Sequence, residues 1–599
     1  MPPKLISNQA LSTVENIALL SLLNRTPTLP GDNVRQISHS KQDVSRILSF
    51  DCEISLTSTL AFLSGVSDDP GHVVAVCVEE LIDSSGLRVL VAINKKNPES
   101  GIGVLGRIEE GLGKIFGYLS RAGCSAKNNV SLETQVLAAI LDMCERRIFS
   151  RIRSKRFESR YSKKDKPSFT TVIKDVLEVV NRNRGKKRVL PEVKGFIDTT
   201  TKLAKLLDRL EVCQTKDVRS CLEDILKAAS ELAENTIFDN IFSGATSVEL
   251  ATSTKLDFIN RLSRLARYYQ CPGFLVKLAK RSGLFKKTTI TTVALDAKYF
   301  TRCMTGTAGC SLAGCLDRCQ TGTFPPFGVK GISRRLGKNQ TEANTAFQNA
   351  IAETLSESKI HAEVQIIAFY ELYKVPRKPR VICSSKDACY LCHQFVRLHG
   401  LFHIPKTHGN LYTRWRVPPV PSLGPLKDML EESLGAQIRK EIQAFQTDPE
   451  RKTKYTKHEN ESSIFPFAQL MSSLDSIPTP SEDPANKIVT KKTIKKNAEQ
   501  QSASGLVATL PEVPQPQLMS PAPSCAQEQL QQITPSPAAP ERTANSEESY
   551  SQTGSQQKSE QKQIFQPLKR LVHSLVSCWP VAIRGRSRTR GHHYIRTSS

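Results

Sequence analysis

Residues 361–392 read HAEVQIIAFYELYKVPRKPRVICSSKDACYLC, and they decide how the rest of the 599-residue chain is understood. The stretch opens with the chain's only HxE, His361 and Glu363, and closes with its only CxxC, Cys389 and Cys392. Val364, Ile367, Ala368 and Leu372 recur at spacings of three and four, which predicts a helix with His361 in its first turn. The β-prone run Arg380, Val381, Ile382 and Cys383 predicts a buried strand, with Ser384, Ser385, Lys386 and Asp387 as its polar exit. Cys389 and Cys392 differ by three. On the opening turn of a second helix both sulfurs therefore face one way, and the positive end of the dipole favours thiolates there.

Imidazole nitrogen and thiolate sulfur are donors that zinc takes in a tetrahedral set, and a catalytic site supplies three protein ligands and leaves the fourth position to water. His361, Cys389 and Cys392 are the three expected zinc ligands. An HxE followed by a CxxC is the signature of zinc-dependent nucleobase deaminases, in which the Glu shuttles protons and does not bind metal. Glu363 is accordingly the expected catalytic acid/base. Two duller readings compete. The two motifs coincide by chance, or Cys383 or His393 closes the tetrahedron of a purely structural zinc site and leaves Glu363 an ordinary surface carboxylate.

HAEVQ, SSKDACYLC and the following FVRLHGLFHIPKTHGNLYTRW resemble the fungal deaminase-like family of the cytidine-deaminase superfamily, the branch related to bacterial toxin deaminases. The resemblance covers roughly residues 288–419. It implies an α/β cytidine-deaminase-like domain, a mixed five-stranded sheet flanked by helices, with His361, Cys389 and Cys392 on zinc and Glu363 as acid/base. It does not supply a substrate. Many members have proline directly before the first cysteine of the CxxC, where this chain has Ala388.

Around this segment the chain is read as four parts: a mainly α-helical module over 1–287, the deaminase-like domain over 288–425, a helical extension over 426–471 and a disordered basic tail over 472–599. Within the first part, Leu137, Ile140, Leu141, Cys144, Ile148 and Ile152 make a helical stripe, and Asp217 precedes another at Val218, Leu222, Ile225 and Leu226. A third helix over 256–269 is expected to stop at Pro272 and Gly273. The run from Val73 to Asn94 fits a hairpin or a buried helix, Thr288–Leu295 is expected to open the deaminase sheet, and 341–358 should be a helix leading into His361. Cys303, Cys310, Cys315 and Cys319 match no zinc module and are read as free thiols.

The formal charge is +25. Arg146, Arg147, Arg151, Arg153, Lys155, Arg156, Arg160, Lys163, Lys164 and Lys166 cluster around Phe157 and Tyr161, a pattern that suits phosphate tracking or else a plain solvated face. Between Lys374 and Arg416 nine basic residues meet only Asp387, which favours an anionic partner, a nucleic acid or nucleotide. His408 and Trp415 are the candidate substrate-binding residues. The opening segment lacks the layout of a secretory signal and no apolar run reaches transmembrane length, so an intracellular protein, cytoplasmic or nuclear, with reduced cysteines is expected.

Past Ser472 the chain is rich in Ser, Pro, Gln, Thr and Glu and short of large apolar residues, hence the expectation of disorder. Lys491, Lys492, Lys495 and Lys496 resemble an import signal, and a short amphipathic helix over 568–579, followed by Arg584, Arg586, Arg588 and Arg590, suits docking to a protein partner, a membrane surface or nucleic acid. The leading function is zinc-dependent hydrolytic deamination of cytosine or adenine, with nucleic acid as the expected substrate; the alternative is a catalytically inactive zinc-containing protein that binds nucleic acid or protein.

Overall fold

The computed structural model describes residues 8–33, 46–122, 129–157, 161, 166–184, 191–234, 251–301, 310–319, 327–448 and 471–476. In chain order come α1 (Asn8–Leu23), β1 (Gly31–Asp32), α2 (Phe50–Ser64), β2 (Val74–Glu80), β3 (Leu87–Ile93), α3 (Ile102–Leu119) and α4 (Asn129–Ile152). There follow α5 (Phe169–Arg184), α6 (Pro191–Val212), α7 (Val218–Ala233), α8 (Thr252–Arg281), β4 (Thr288–Thr292), α9 (Leu312–Cys319) and α10 (Val329–Leu336). The last are α11 (Gln340–Glu357), α12 (Ala362–Leu372), β5 (Cys383–Ser384), α13 (Tyr390–His399), β6 (Lys406–Thr407) and α14 (Gly424–Thr447).

The ambiguous run at 73–94 is a hairpin, and it forms the middle of a mixed four-stranded sheet of order β4-β3-β2-β5. β2 pairs antiparallel with both β3 and β5, while β3 pairs parallel with β4. Side chains alternate between two apolar cores. Val74, Val76, Val78, Val89 and Val91 face one made with α2, α3, α4, α7 and α8, whereas Ala75, Cys77, Leu90 and Ala92 face one made with α1, α11, α12, α13 and α14. Both faces of the hairpin are covered, so its sequence is apolar nearly throughout and shows no alternation.

This arrangement corrects several expectations. The sheet takes strands from both sides of residue 287, so the helical module and the catalytic segment share one sheet, and β4 is its edge rather than its opening strand. Four strands stand where five were expected. At the fifth position, residues 403–408 run beside 380–388 through His403 N to Arg380 O (2.8 Å), Ile382 N to His403 O (3.0 Å) and Ala388 N to Lys406 O (3.1 Å), as isolated parallel bridges rather than a continuous ladder. α8 does not stop at Pro272 but runs on to Arg281. An internal proline costs about 3 kcal/mol, but Phe274, Leu275, Val276 and Leu278 beyond it are buried, each contributing about 1.5–3 kcal/mol. Burial outweighs the lost hydrogen bond.

Residues 472–476, which the sequence reading places in the tail, are among the described residues. Met471–Ser476 packs back on the helical side: Leu474 is buried in the core with α2, and Arg281 donates to the Leu474 carbonyl. Leu474→Ala is expected to lower unfolding stability by about 2 kcal/mol or more, measurable by urea denaturation, whereas a chain ending after Ser476 should match the full chain. The tail helix, the lysine cluster and residues 477–599 lie outside the described residues. Among those described, no helix is long and apolar enough to cross a membrane, and the cysteines are free thiols.

Candidate active site

Two helix starts meet on one side of the sheet, each pinned from outside its own sequence. His361 is the N-cap residue of α12, and the orphan amide of Ala362 donates to Asn94 Oδ1 (2.8 Å) at the end of β3. Gln365 Nε2 donates to Ile93 O (2.6 Å) and Ile360 O (2.9 Å), and Tyr370 Oη donates to Glu79 Oε2 (3.0 Å) on β2. α12 is therefore fixed to the sheet along its length. Cys389 is the N-cap of α13, with its Sγ accepting from the Cys392 amide (3.4 Å), and Tyr390 N donates to Asn410 O (2.9 Å).

His361 Nδ1 lies 3.7 Å from Cys389 Sγ and 3.4 Å from Cys392 Sγ, and the three donor atoms all fall within 4.8 Å of one another. Zn–S bonds of about 2.3 Å and Zn–N bonds of about 2.05 Å at a tetrahedral angle put N and S about 3.6 Å apart. The observed separations bracket that value, so the donor set fits zinc in both chemistry and spacing. The electrostatics single out Cys389 as the thiolate of the set. Burial disfavours a thiolate at Cys389, but the hydrogen bond from Cys392 and the adjacent imidazole hold its pKa well below the ordinary thiol range. Burial and the negative Cys389 push Cys392 well above it. At His361 burial opposes the charged ring, yet Cys389 prevails and the pKa is raised.

Glu363, on the first turn of α12, is buried. Ser384 Oγ donates to its Oε1 (2.7 Å), and its Oε2 lies 3.4 Å from Cys392 Sγ. Neither proposed fourth ligand joins the metal set. Ser384 points to the site, so its strand neighbour Cys383 points to the opposite face, where it packs in the helical-side core near Arg267 and burial raises its thiol pKa. His393 lies one position beyond Cys392 on α13, outside the donor cluster, and burial lowers its pKa.

A cavity of about 470 Å³ opens over this cluster, bordered by His361, Glu363 and Cys389 and by Asn94, His408 and Tyr412. Its walls also carry Lys359, Lys386 and Arg414 against Glu353 and Asp387; Arg414 is held by Glu353 at 2.7 Å. His408 is buried with Nδ1 accepting from the Asn410 amide (3.0 Å), and its ring meets Tyr412 edge-on at 5.5 Å. The next residue, Gly409, has φ +70°, and a Cβ there would fall 1.9 Å from Thr28 O, so only glycine lets this loop close against the N-terminal segment. Trp415 is buried, does not border this cavity, and its Nε1 donates to Cys392 Sγ (3.3 Å).

Sequence reasoning missed Asn94, Ser384 and Tyr412. Asn94 is nearly 270 positions from the helix that it caps, and no local pattern announces it; Ser384 was in view, but only as the end of a strand. The basic run at 146–166 is likewise no uniform stripe: Arg156 donates to the carbonyls of Leu210 and Cys213, and Arg153 to that of Lys166 (2.6 Å).

A family model described as OTT_1508_deam:-like deaminase matches residues 360–419. This segment is deaminase-like. It holds both halves of the donor cluster, Glu363, His408 and Trp415, and omits the hairpin that supports them. No curated protein and no solved structure matches the chain.

Proposed function

We propose that the protein is a zinc-dependent hydrolytic deaminase of the cytidine-deaminase superfamily that acts on cytosine or adenine in nucleic acid. The observation that carries this reading is the meeting of His361, Cys389 and Cys392 at zinc-ligand spacing with the Ser384-anchored Glu363 at the floor of one cavity. Zinc, when bound, supplies hydroxide near neutral pH by lowering the pKa of a water to about 7. Glu363 would take the proton released there and pass it to the ring nitrogen as hydroxide adds to the neighbouring carbon; it would then take the proton of the new hydroxyl and pass it to the amine, which leaves as ammonia while the carbonyl forms. Ser384 keeps the carboxylate aimed while it changes protonation state. Trp415 Nε1 and the α13 N-terminus stabilise the sulfur ligands.

The cavity has the size of a small-molecule site, and a base inside a duplex must leave the stack to enter such a recess. Lys359, Lys386 and Arg414 at its walls suit the flanking phosphates, and Tyr412, partly exposed at the wall, offers a ring for stacking. The test is to expose single-stranded DNA and RNA to the zinc-loaded protein and to Glu363→Ala and to sequence the products. C-to-T or A-to-G changes confined to the unsubstituted protein are expected. Equal product from both proteins, or none from either on DNA and RNA, overturns the proposal.

A further inference from the structure

Beside the catalytic cavity a second one, of about 270 Å³, opens where α1, the end of α11 and the chain running from Trp415 into α14 meet. Three pairs of sequence neighbours divide between the two. Glu353, Lys359 and Arg414 border the catalytic cavity, while Thr354, Ser358 and Trp415 border the second. Lys359 joins the partition through its main chain, its amide donating to Arg414 O (3.1 Å) and its carbonyl accepting from Arg416 N (3.1 Å). The buried Trp415 reaches from this partition to the donor cluster, with Nε1 donating to Cys392 Sγ (3.3 Å).

The walls of the second cavity are apolar and its charge is of one sign. Ile17, Leu355, Val417, Val420 and Leu423 line it, and no Asp or Glu does. Its two ionic residues are Arg416 and Lys427. Arg416 is held by Nη2, which donates to Phe300 O (2.9 Å). Lys427 stands in the first turn of α14, a turn without an acidic residue, and it forms no ion pair among the described residues. Cations at the rim of an apolar recess attract an anion more strongly than they do in open water, and apolar walls favour a ligand that covers them. The two preferences are met by one kind of molecule.

We propose that the second cavity binds a small organic carboxylate with an apolar chain, the chain against Ile17, Leu355, Val420 and Leu423 and the carboxylate at Arg416 and Lys427. The volume stands just below the range of drug-sized sites, about 300–1,000 Å³, which suits a chain of medium length. One guanidinium nitrogen is already committed to Phe300 O, so the remaining donors match the single charge and two oxygens of a carboxylate. The ligand lies against the indole that donates to Cys392, which connects its binding with the metal site. The proposal does not rest on the deaminase reading, because its readout is the fluorescence of the protein itself.

The chain has two tryptophans, so Trp579→Phe leaves Trp415 as the single reporter. The full-length Trp579→Phe protein is titrated with decanoate, decanol and acetate below micellar concentrations. Decanoate is expected to change the Trp415 emission saturably, with a midpoint below about 1 mM. Decanol, which lacks the charge, should bind at least about tenfold more weakly, and acetate, which lacks the chain, should have no effect. Added to the same protein, Lys427→Gln should weaken decanoate binding by about tenfold, and Val14→Phe, which fills the cavity from a half-buried position on α1, should abolish the response. Melting temperatures near that of the parent establish that the variants are folded. No saturable response to decanoate, equal midpoints for decanoate and decanol, or a decanoate midpoint unchanged in Lys427→Gln overturns the proposal.

Discussion

Glu363→Gln is expected to lower deamination by about 100-fold or more while leaving metal content and melting temperature nearly unchanged. The amide keeps the shape of the side chain, and Ser384 Oγ, 2.7 Å from Oε1, still finds an oxygen to donate to. What is lost is the ability to accept and return a proton. Single-turnover rates on the substrate found by sequencing, with zinc measured on the same samples, give both numbers. A variant that retains more than about a tenth of the activity would assign the proton transfers to another group. Ser384→Ala should have a smaller effect of the same kind, because the carboxylate stays but loses its orientation.

A comparably large effect, on stability rather than rate, is expected at Glu53. This residue sits inside α2 and accepts from Arg380 Nε (2.6 Å), Arg380 N (2.7 Å) and Val381 N (3.2 Å); both side chains are almost wholly buried. Arg380 also donates to Leu48 O (2.8 Å), so the pair ties α2 to the segment that enters β5. Glu53→Ala strands a buried guanidinium and two amides, which should cost about 3–5 kcal/mol. Replacing both residues by methionine should recover most of that loss. Chemical denaturation of the two variants decides the matter, and a single-variant loss below about 1 kcal/mol would show that solvent reaches the pair.

The donor cluster was legible because its signals are local. An HxE at a helix start and a CxxC at the next place three donors and a carboxylate by helix geometry alone, and the donors stand at the expected helix starts, with His361 and Cys389 as the N-cap residues themselves. The frame around them was not legible, because nothing in the runs 74–80 and 87–93 states that they pair with 383–384 and 288–292, more than 200 positions away in both cases. Apolar side chains on both faces erase the alternation that would mark a strand. Pro272 misled for the opposite reason: the local rule is sound, and a buried helical interface overrides it. Strand parity turns Cys383 away from the donor cluster because its neighbour Ser384 reaches Glu363, a contact that only the structure shows.

The central claim is that three protein donors, two of them sulfur, hold one zinc and leave a position open. X-ray absorption at the zinc edge of the purified full chain reads that donor set directly. The account predicts about two sulfur neighbours at about 2.3 Å and two nitrogen or oxygen neighbours at about 2.0–2.1 Å, with the zinc lost in Cys389→Ser and Cys392→Ser and retained in Cys383→Ser. A third sulfur neighbour, or loss of zinc from Cys383→Ser, would show a closed structural site and contradict it.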